Sequence, residues 1–257
     1  MVVRSIAAIA TLIIAAGCAK SPPEFEEVPP ADQLYEQGQK ILEGERVLGL
    51  WPRVDYAEAI ETFQAIIDNY PYSEYAVLAE LAIADAYFDD EKYEEALSYY
   101  RDFTDLHPQH EKVPYTIYRS ALCHQRRVHA ANRDQTSTRE ALIFLDQLLA
   151  KYPYSEYAGD GEVLWRELRT TLAEQVRDIG DFYLKRNEWE SAAERYRSLL
   201  NEYPGLGLDA EALYKLGVCY AAMNRTEEAE SIFQAIVQNY RESDVARDAA
   251  DRIASMN

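Results

Sequence analysis

Apolar side chains recur at offsets of four and seven residues in five segments of equal length. Each segment has alanine at its fourth position, a large apolar or aromatic residue four positions later, and a further apolar residue three positions after that. Offsets of four and seven place these residues on one face of an α-helix. The pattern therefore predicts five amphipathic helices, four of which end at proline. They lie at residues 56–71, 93–108, 138–153, 189–204 and 226–241.

A second helical pattern precedes these segments, so the helices are expected in pairs. In the last pair its apolar and small positions are Leu213, Leu216, Gly217 and Tyr220, and the same offsets recur before Ala192. The paired pattern resembles the tetratricopeptide repeat, a helix–turn–helix unit of about 34 residues. The resemblance implies an all-α solenoid of about five such repeats. The longest interval, which spans 158–175, predicts that the first helix of repeat 4 starts early and is long.

The first residues have the pattern of a targeting signal. Arg4 precedes the apolar run Ile6–Ala16, which is shorter than the about 20 residues needed to span a bilayer. Small residues before Cys18 resemble a bacterial lipobox, which implies a signal peptide at 1–17 and a covalent lipid on Cys18, with no other cofactor. The alternative is an ordinary secretory signal with Cys18 incidental.

Beyond the cysteine, the composition predicts two further regions. Residues 18–31 contain four prolines and three glutamates and no apolar periodicity, which is typical of an extended tether. Residues 32–257 contain the five repeats, and the last helical pattern predicts a capping helix that covers the open end of the stack.

Charge and motifs exclude several functions. The chain has 26 Lys+Arg against 45 Asp+Glu, a net charge of −19, whereas nucleic acids are bound by clustered basic residues. Cys123 and Cys219 lie in helical patterns, which favours buried free thiols over a disulfide. His107 and His110 lack a third ligand nearby, so no metal site is expected. The absence of a nucleophile, phosphate-loop or zinc-protease motif predicts that the protein is not an enzyme.

Stacked repeats form a concave groove lined mainly by the first helix of each repeat. In repeats 1 and 2 the groove positions are apolar and suit a peptide with hydrophobic anchors; they are Tyr35, Leu42, Leu78, Leu81 and Phe88. In repeat 3 a basic cluster is predicted to dock a carboxylate-rich partner; it comprises Arg119, Arg126 and Arg127. The alternatives are that the apolar residues pack against neighbouring repeats and that the arginines pair with acidic residues of the same chain.

Lipobox, tether and repeats together resemble the BamD (YfiO) family of outer-membrane assembly lipoproteins. The most specific segment is 103–118, FTDLHPQHEKVPYTIY, against a family pattern of FIxLHPxHPxVxYAxY. Glu111 replaces the second proline of that pattern and Thr116 replaces its alanine.

The resemblance implies a function and a location. The protein would be anchored to the outer membrane at its periplasmic face. Repeats 1 and 2 would bind unfolded outer-membrane proteins, and repeats 3–5 would dock on the POTRA domains of a BamA-type barrel insertase. Other assembly lipoproteins would be further partners, and the membrane would be contacted only through the lipid. The alternative is a periplasmic tetratricopeptide scaffold lipoprotein for cell division or pilus assembly.

Overall fold

A computed structural model of the chain describes residues 28–44, 53–127 and 134–256. Within these ranges eleven helices follow one another, and each packs against the next. The helices are α1 (Ala31–Glu43), α2 (Tyr56–Asn69), α3 (Glu74–Asp89), α4 (Tyr93–Leu106), α5 (Val113–Gln125), α6 (Thr136–Lys151), α7 (Ala158–Lys185), α8 (Trp189–Glu202), α9 (Asp209–Ala222), α10 (Thr226–Asn239) and α11 (Val245–Met256). The predicted signal peptide and Cys18 lie outside the described residues, and α1 begins at the last residue assigned to the tether.

The five predicted amphipathic helices are α2, α4, α6, α8 and α10, each preceded by its partner helix, so the prediction of an all-α repeat solenoid is confirmed. The alanine at the fourth position of each is completely buried. A side chain of one methyl group lets the neighbouring helix backbone approach closely, which explains why the same residue recurs. These alanines are Ala59, Ala96, Ala141, Ala192 and Ala229.

Glycine on the first helix of a repeat meets an aromatic ring on the second. A Cβ atom built on Gly217 would lie 2.7 Å from the ring of Phe233, and one on Gly180 would lie 2.8 Å from the ring of Tyr196. Real Cβ atoms do not approach other atoms so closely. The two helices of these repeats therefore pack at a separation that only glycine permits.

Helix α7 confirms the prediction of a long first helix in repeat 4, because it spans 28 residues. Its N-terminal half contributes Leu164 and Leu168 to the core of repeat 3. Its C-terminal half packs through Val176 and Tyr183 against the core of repeats 4 and 5. One continuous helix thus belongs to two hydrophobic clusters.

The serines that precede α3, α7 and α11 differ in their roles. Ser73 precedes α3, and its side chain accepts a hydrogen bond from the backbone N–H of Tyr75. Ser155 does not cap α7, because that helix begins one residue after Tyr157 and the Ser155 hydroxyl has no hydrogen-bond partner. Ser243 donates its hydroxyl hydrogen bond to the carbonyl of Tyr240 and so closes the turn before α11.

Candidate protein-interaction site

Of the five apolar residues predicted for the groove, three are partly exposed and two are buried in the core. Leu78 is 36% exposed, and Tyr35 and Leu42 are half-buried against the cluster around Phe63. Leu81 and Phe88 are 9% and 8% exposed and form part of the core between repeats 2 and 3. Any peptide contact at this site would therefore be made mainly by Leu78, Tyr35 and Leu42, with the other two residues supporting them from below.

Beside these residues lies a cluster that joins repeat 2 to repeat 3, which we call the Asp85 cluster. The hydroxyls of Tyr100 and Tyr115 both donate to Oδ1 of Asp85, at 2.5 and 2.6 Å. Nε of Arg119 donates to the Tyr100 hydroxyl oxygen at 2.9 Å. One carboxylate oxygen thus links helices α3, α4 and α5.

The guanidinium group of Arg119 has its charged and aromatic partners within its own chain. Its Nη2 lies 3.6 Å from Asp85 and 3.5 Å from Asp89, and its guanidinium carbon lies 3.7 Å from the centre of the Phe88 ring. A guanidinium stacked on an aromatic face gains a cation–π attraction and covers the ring. The alternative raised for this arginine, pairing with acidic residues of the same chain, is what the structure contains.

The other two predicted docking arginines lie at the end of α5. Nη2 of Arg127 forms an ion pair with Glu94 at 2.8 Å. Arg126 is exposed and forms no ion pair with any residue in the described ranges. It lines a shallow cavity of about 320 Å³ together with Tyr118, Leu122 and Asp160. Of the three arginines, Arg126 is the one without an ion pair among residues 28–44, 53–127 and 134–256.

An equivalent cluster joins repeat 4 to repeat 5. The hydroxyl of Tyr196 donates to Oδ1 of Asp181 at 2.6 Å, and Nζ of Lys215 donates to the same oxygen at 2.7 Å. Lys215 also pairs with Glu211 at 2.6 Å. The aspartate, the tyrosine and the cation come from the first helix, the second helix and the first helix of the next repeat, as in the Asp85 cluster.

The pKa values of the two carboxylates are shifted in opposite directions. Burial raises the pKa of Asp85, and the hydrogen bonds from Tyr100 and Tyr115 and the charge of Arg119 offset this only in part. Burial also tends to raise the pKa of Asp181, but the hydrogen bonds from Lys215 and Tyr196 outweigh it and the pKa is lowered. Direct contact with the ammonium group therefore stabilises the second carboxylate more.

Sequence reasoning missed both clusters, although a signal was present. Aspartate and tyrosine are separated by 15 residues in repeats 2 and 4. In the other three repeats the second helix has phenylalanine or leucine at the position of the tyrosine, and the first helix has no aspartate at the partner position. The corresponding pairs in repeats 1, 3 and 5 are Gln39 with Phe63, Leu122 with Leu145, and Val218 with Phe233.

The cysteines and histidines have structural roles. Cys123 and Cys219 are buried free thiols, as predicted, and burial raises the pKa of Cys123 to about 12 and that of Cys219 to about 11. Thiols with such pKa values stay protonated and unreactive at neutral pH. Nε2 of His107 lies 2.8 Å from Glu80, and the imidazole of His110 accepts a hydrogen bond from the backbone N–H of Lys112.

The described ranges contain neither a metal-ligand cluster nor a membrane-spanning helix. Among residues 28–44, 53–127 and 134–256, no group of three or more His, Cys, Asp or Glu side chains could hold a metal ion. In the same ranges, no helix is both long enough and apolar enough to cross a bilayer.

Similarity to known proteins covers most of the chain. The chain is 29% identical over 229 residues to the outer membrane protein assembly factor BamD of Caulobacter vibrioides, covering 88% of this chain and 72% of that relative. It is 29% identical over 242 residues to the protein of the same name from Vibrio cholerae, covering 88% of this chain and 96% of that relative. Among solved structures, the TPR2AB domain of yeast Sti1 in its complex with pHSP90 matches 88% of this chain and 82% of that chain at 15% identity, with a TM-score of 0.46.

The family model for YfiO, described as an outer membrane lipoprotein, matches residues 29–231, which run from the end of the tether into α10. The match thus includes the Asp85 cluster, its counterpart in repeats 4 and 5, and nearly all of the repeats. The chain belongs to the YfiO outer membrane lipoprotein family.

Proposed function

We propose that this protein is a non-enzymatic lipoprotein subunit of the machinery that assembles β-barrel proteins in the outer membrane. Membership of the YfiO family supports the role, as do the relatives named outer membrane protein assembly factor BamD. The protein would be held at the periplasmic face of the outer membrane by a lipid on Cys18. Its repeats would bring an unfolded client and the barrel insertase together.

Client binding is proposed for the groove of repeats 1 and 2. The observation that carries it is the exposure of Leu78 on α3, together with the half-buried Tyr35 and Leu42 on α1. An extended segment from an outer-membrane protein presents apolar side chains on one face, and such a segment binds a groove through a few hydrophobic anchors. Arg119, which covers Phe88, sets the end of this apolar surface.

Replacing Leu78 by glutamate should weaken binding of a client segment about tenfold or more, because a charge would stand where an apolar anchor is buried. The probe is a fluorescent peptide with the sequence of the C-terminal strand of an outer-membrane barrel, titrated against the full chain by anisotropy. Leu106→Glu is the matched control, because Leu106 is 68% exposed at the end of α4. Equal affinity in the two variants, with circular dichroism unchanged in both, would place the client elsewhere.

Docking on the POTRA domains of a BamA-type insertase is proposed for repeats 3–5. Arg126 forms no ion pair with the part of the chain that the structure describes, and its exposed charge suits a carboxylate on the partner. On α7, Val163 is 69% exposed and Phe182 is 55% exposed. Apolar and aromatic side chains of this kind supply the buried centre of a protein interface.

Cys18→Ala should release the protein from the outer membrane into the soluble periplasmic fraction, because the repeats would lose the acyl chains that hold them. The measurement is fractionation of cells followed by immunoblotting, together with incorporation of labelled palmitate. Cys123→Ala is the control for the loss of a thiol, since Cys123 is buried in the repeats. Persistence of the Cys18→Ala protein in the membrane fraction, with palmitate still incorporated, would contradict lipid anchoring at this residue.

A further inference from the structure

The heptapeptide YPYSEYA occurs twice, at 70–76 and at 152–158. It follows the second helix of repeat 1 and the second helix of repeat 3. Tyr72 and Tyr154, at the same place in the two loops, are fully exposed, at 102% and 99%. The fold does not require tyrosine here, because the corresponding residues after α4, α8 and α10 are Gln109, Gly205 and Glu242.

The two loops have the same surroundings. Tyr70 ends α2 and Tyr152 ends α6, each with its backbone N–H bonded to the helix. The ring of Tyr75 lies 5.7 Å from that of Tyr35 on the first helix of repeat 1. The corresponding ring of Tyr157 lies 5.8 Å from that of Tyr118 on the first helix of repeat 3. The two heptapeptides thus share this ring contact, although the next helix begins at Glu74 in the first and at Ala158 in the second.

In the first copy the hydroxyl of Tyr70 binds an extended piece of backbone. Its single O–H proton is shared between the carbonyl oxygens of Val28 and Pro29, which lie at 3.2 and 3.1 Å. The next residue, Pro30, has φ −53° and ψ 151°, which is close to polyproline II geometry. The end of the tether therefore lies against the first loop as an extended, proline-containing segment.

In the second copy this place is open. The residue before α5, Lys112, has φ −84° and ψ 0°, so the chain turns into the helix and does not run extended past the loop. The Tyr152 hydroxyl has no hydrogen-bond partner among the residues that the structure describes. A pocket of about 500 Å³ lies between the loop and the start of α5, lined by Tyr152, Pro153, Tyr154, Tyr157 and Pro114.

We infer that this pocket binds an extended, proline-containing segment of a partner protein, with the Tyr152 hydroxyl donating to its backbone carbonyls as Tyr70 does to Val28 and Pro29. Tyrosine and proline rings form the walls of the pocket, and aromatic-lined grooves bind such segments because their backbone is already extended before binding. The rim carries Lys151 and the carboxylates of Glu111 and Glu156. The lining of the pocket includes neither Arg126 nor the residues of the client groove.

The inference can be tested with a peptide that copies the segment bound at the first loop. The probe is acetyl-Glu-Glu-Val-Pro-Pro-Ala-amide, the sequence of residues 26–31, carrying an amino-terminal benzophenone and titrated against the full chain. Cross-links should map to 152–158. Tyr152→Phe should weaken binding about three- to tenfold, the effect of losing a hydrogen bond. Tyr240→Phe, the same change at the end of α10, should have no effect.

Three results would overturn the inference. One is equal affinity of the probe for the wild-type chain and for Tyr152→Phe. Another is a set of cross-links confined to 70–76, which would mean that the peptide only displaces the tether. The third is the absence of saturable binding at millimolar peptide. A peptide with alanine in place of both prolines should bind more weakly, and equal binding of that peptide would contradict the selection of an extended backbone.

Discussion

Phe233→Ala should lower the free energy of unfolding of repeat 5 by about 3–5 kcal/mol, the range for removing a buried aromatic side chain. The Phe233 ring is completely buried and lies against Gly217, where no side chain can expand into the space that the ring would leave. The ring also packs 5.7 Å from that of Tyr214. The loss would therefore consist of the transfer energy of the ring and the cost of a cavity that the helix pair cannot close.

Hydrogen exchange is the appropriate measurement, because a repeat protein can open one end while the remainder stays folded. Amide protection in α9, α10 and α11 should fall by the stated free energy, whereas protection in α3 and α4 should be unchanged. Phe182→Ala is the matched control, since its ring is 55% exposed and the change should stay within about 0.5 kcal/mol. Equal effects of the two substitutions would contradict the packing described for repeat 5.

Asp85→Ala should destabilise the junction of repeats 2 and 3 by about 2–3 kcal/mol. The substitution would leave the hydroxyls of the buried Tyr100 and the half-buried Tyr115 without their acceptor and would remove one of the two carboxylates near Arg119. Each buried polar group left without a partner costs about 1–3 kcal/mol, and some of this is recovered when water reaches the groove.

The same change at Asp89 provides the control for the Asp85 cluster. Asp89 also lies near Arg119, at 3.5 Å, but its side chain is 59% exposed and it accepts no hydrogen bond from the tyrosines. Asp89→Ala should therefore change stability by less than about 1 kcal/mol. Chemical denaturation followed by tyrosine fluorescence would measure both variants. An Asp85→Ala protein as stable as Asp89→Ala would show that the shared carboxylate oxygen does not hold the junction.

The helical architecture was predictable because it depends on local periodicity. Ala59 and Phe63 recur in every repeat as a small and a large residue four positions apart, and that spacing identifies a buried helix face without further information. The length of α7 followed from the same alignment. Helix caps were less predictable: Ser73 and Ser155 stand in identical heptapeptides, yet only Ser73 caps its helix.

The chemistry of the groove was less predictable because it depends on contacts between repeats. Projection onto the repeat pattern put Leu78 and Phe88 on the same surface, but it could not show that Arg119 would cover Phe88. Whether an arginine is available to a partner depends on which carboxylates the neighbouring repeat places beside it. Arg126 and Arg127 are adjacent in sequence, but only Arg127 forms an ion pair with Glu94, which lies on another helix.

Helix α7 also has a mechanical consequence. It runs without a break from the core of repeat 3 into that of repeats 4 and 5. An unbroken helix resists bending because its backbone hydrogen bonds run parallel to its axis. A displacement of the last two repeats is therefore transmitted along this one helix to the core of repeat 3.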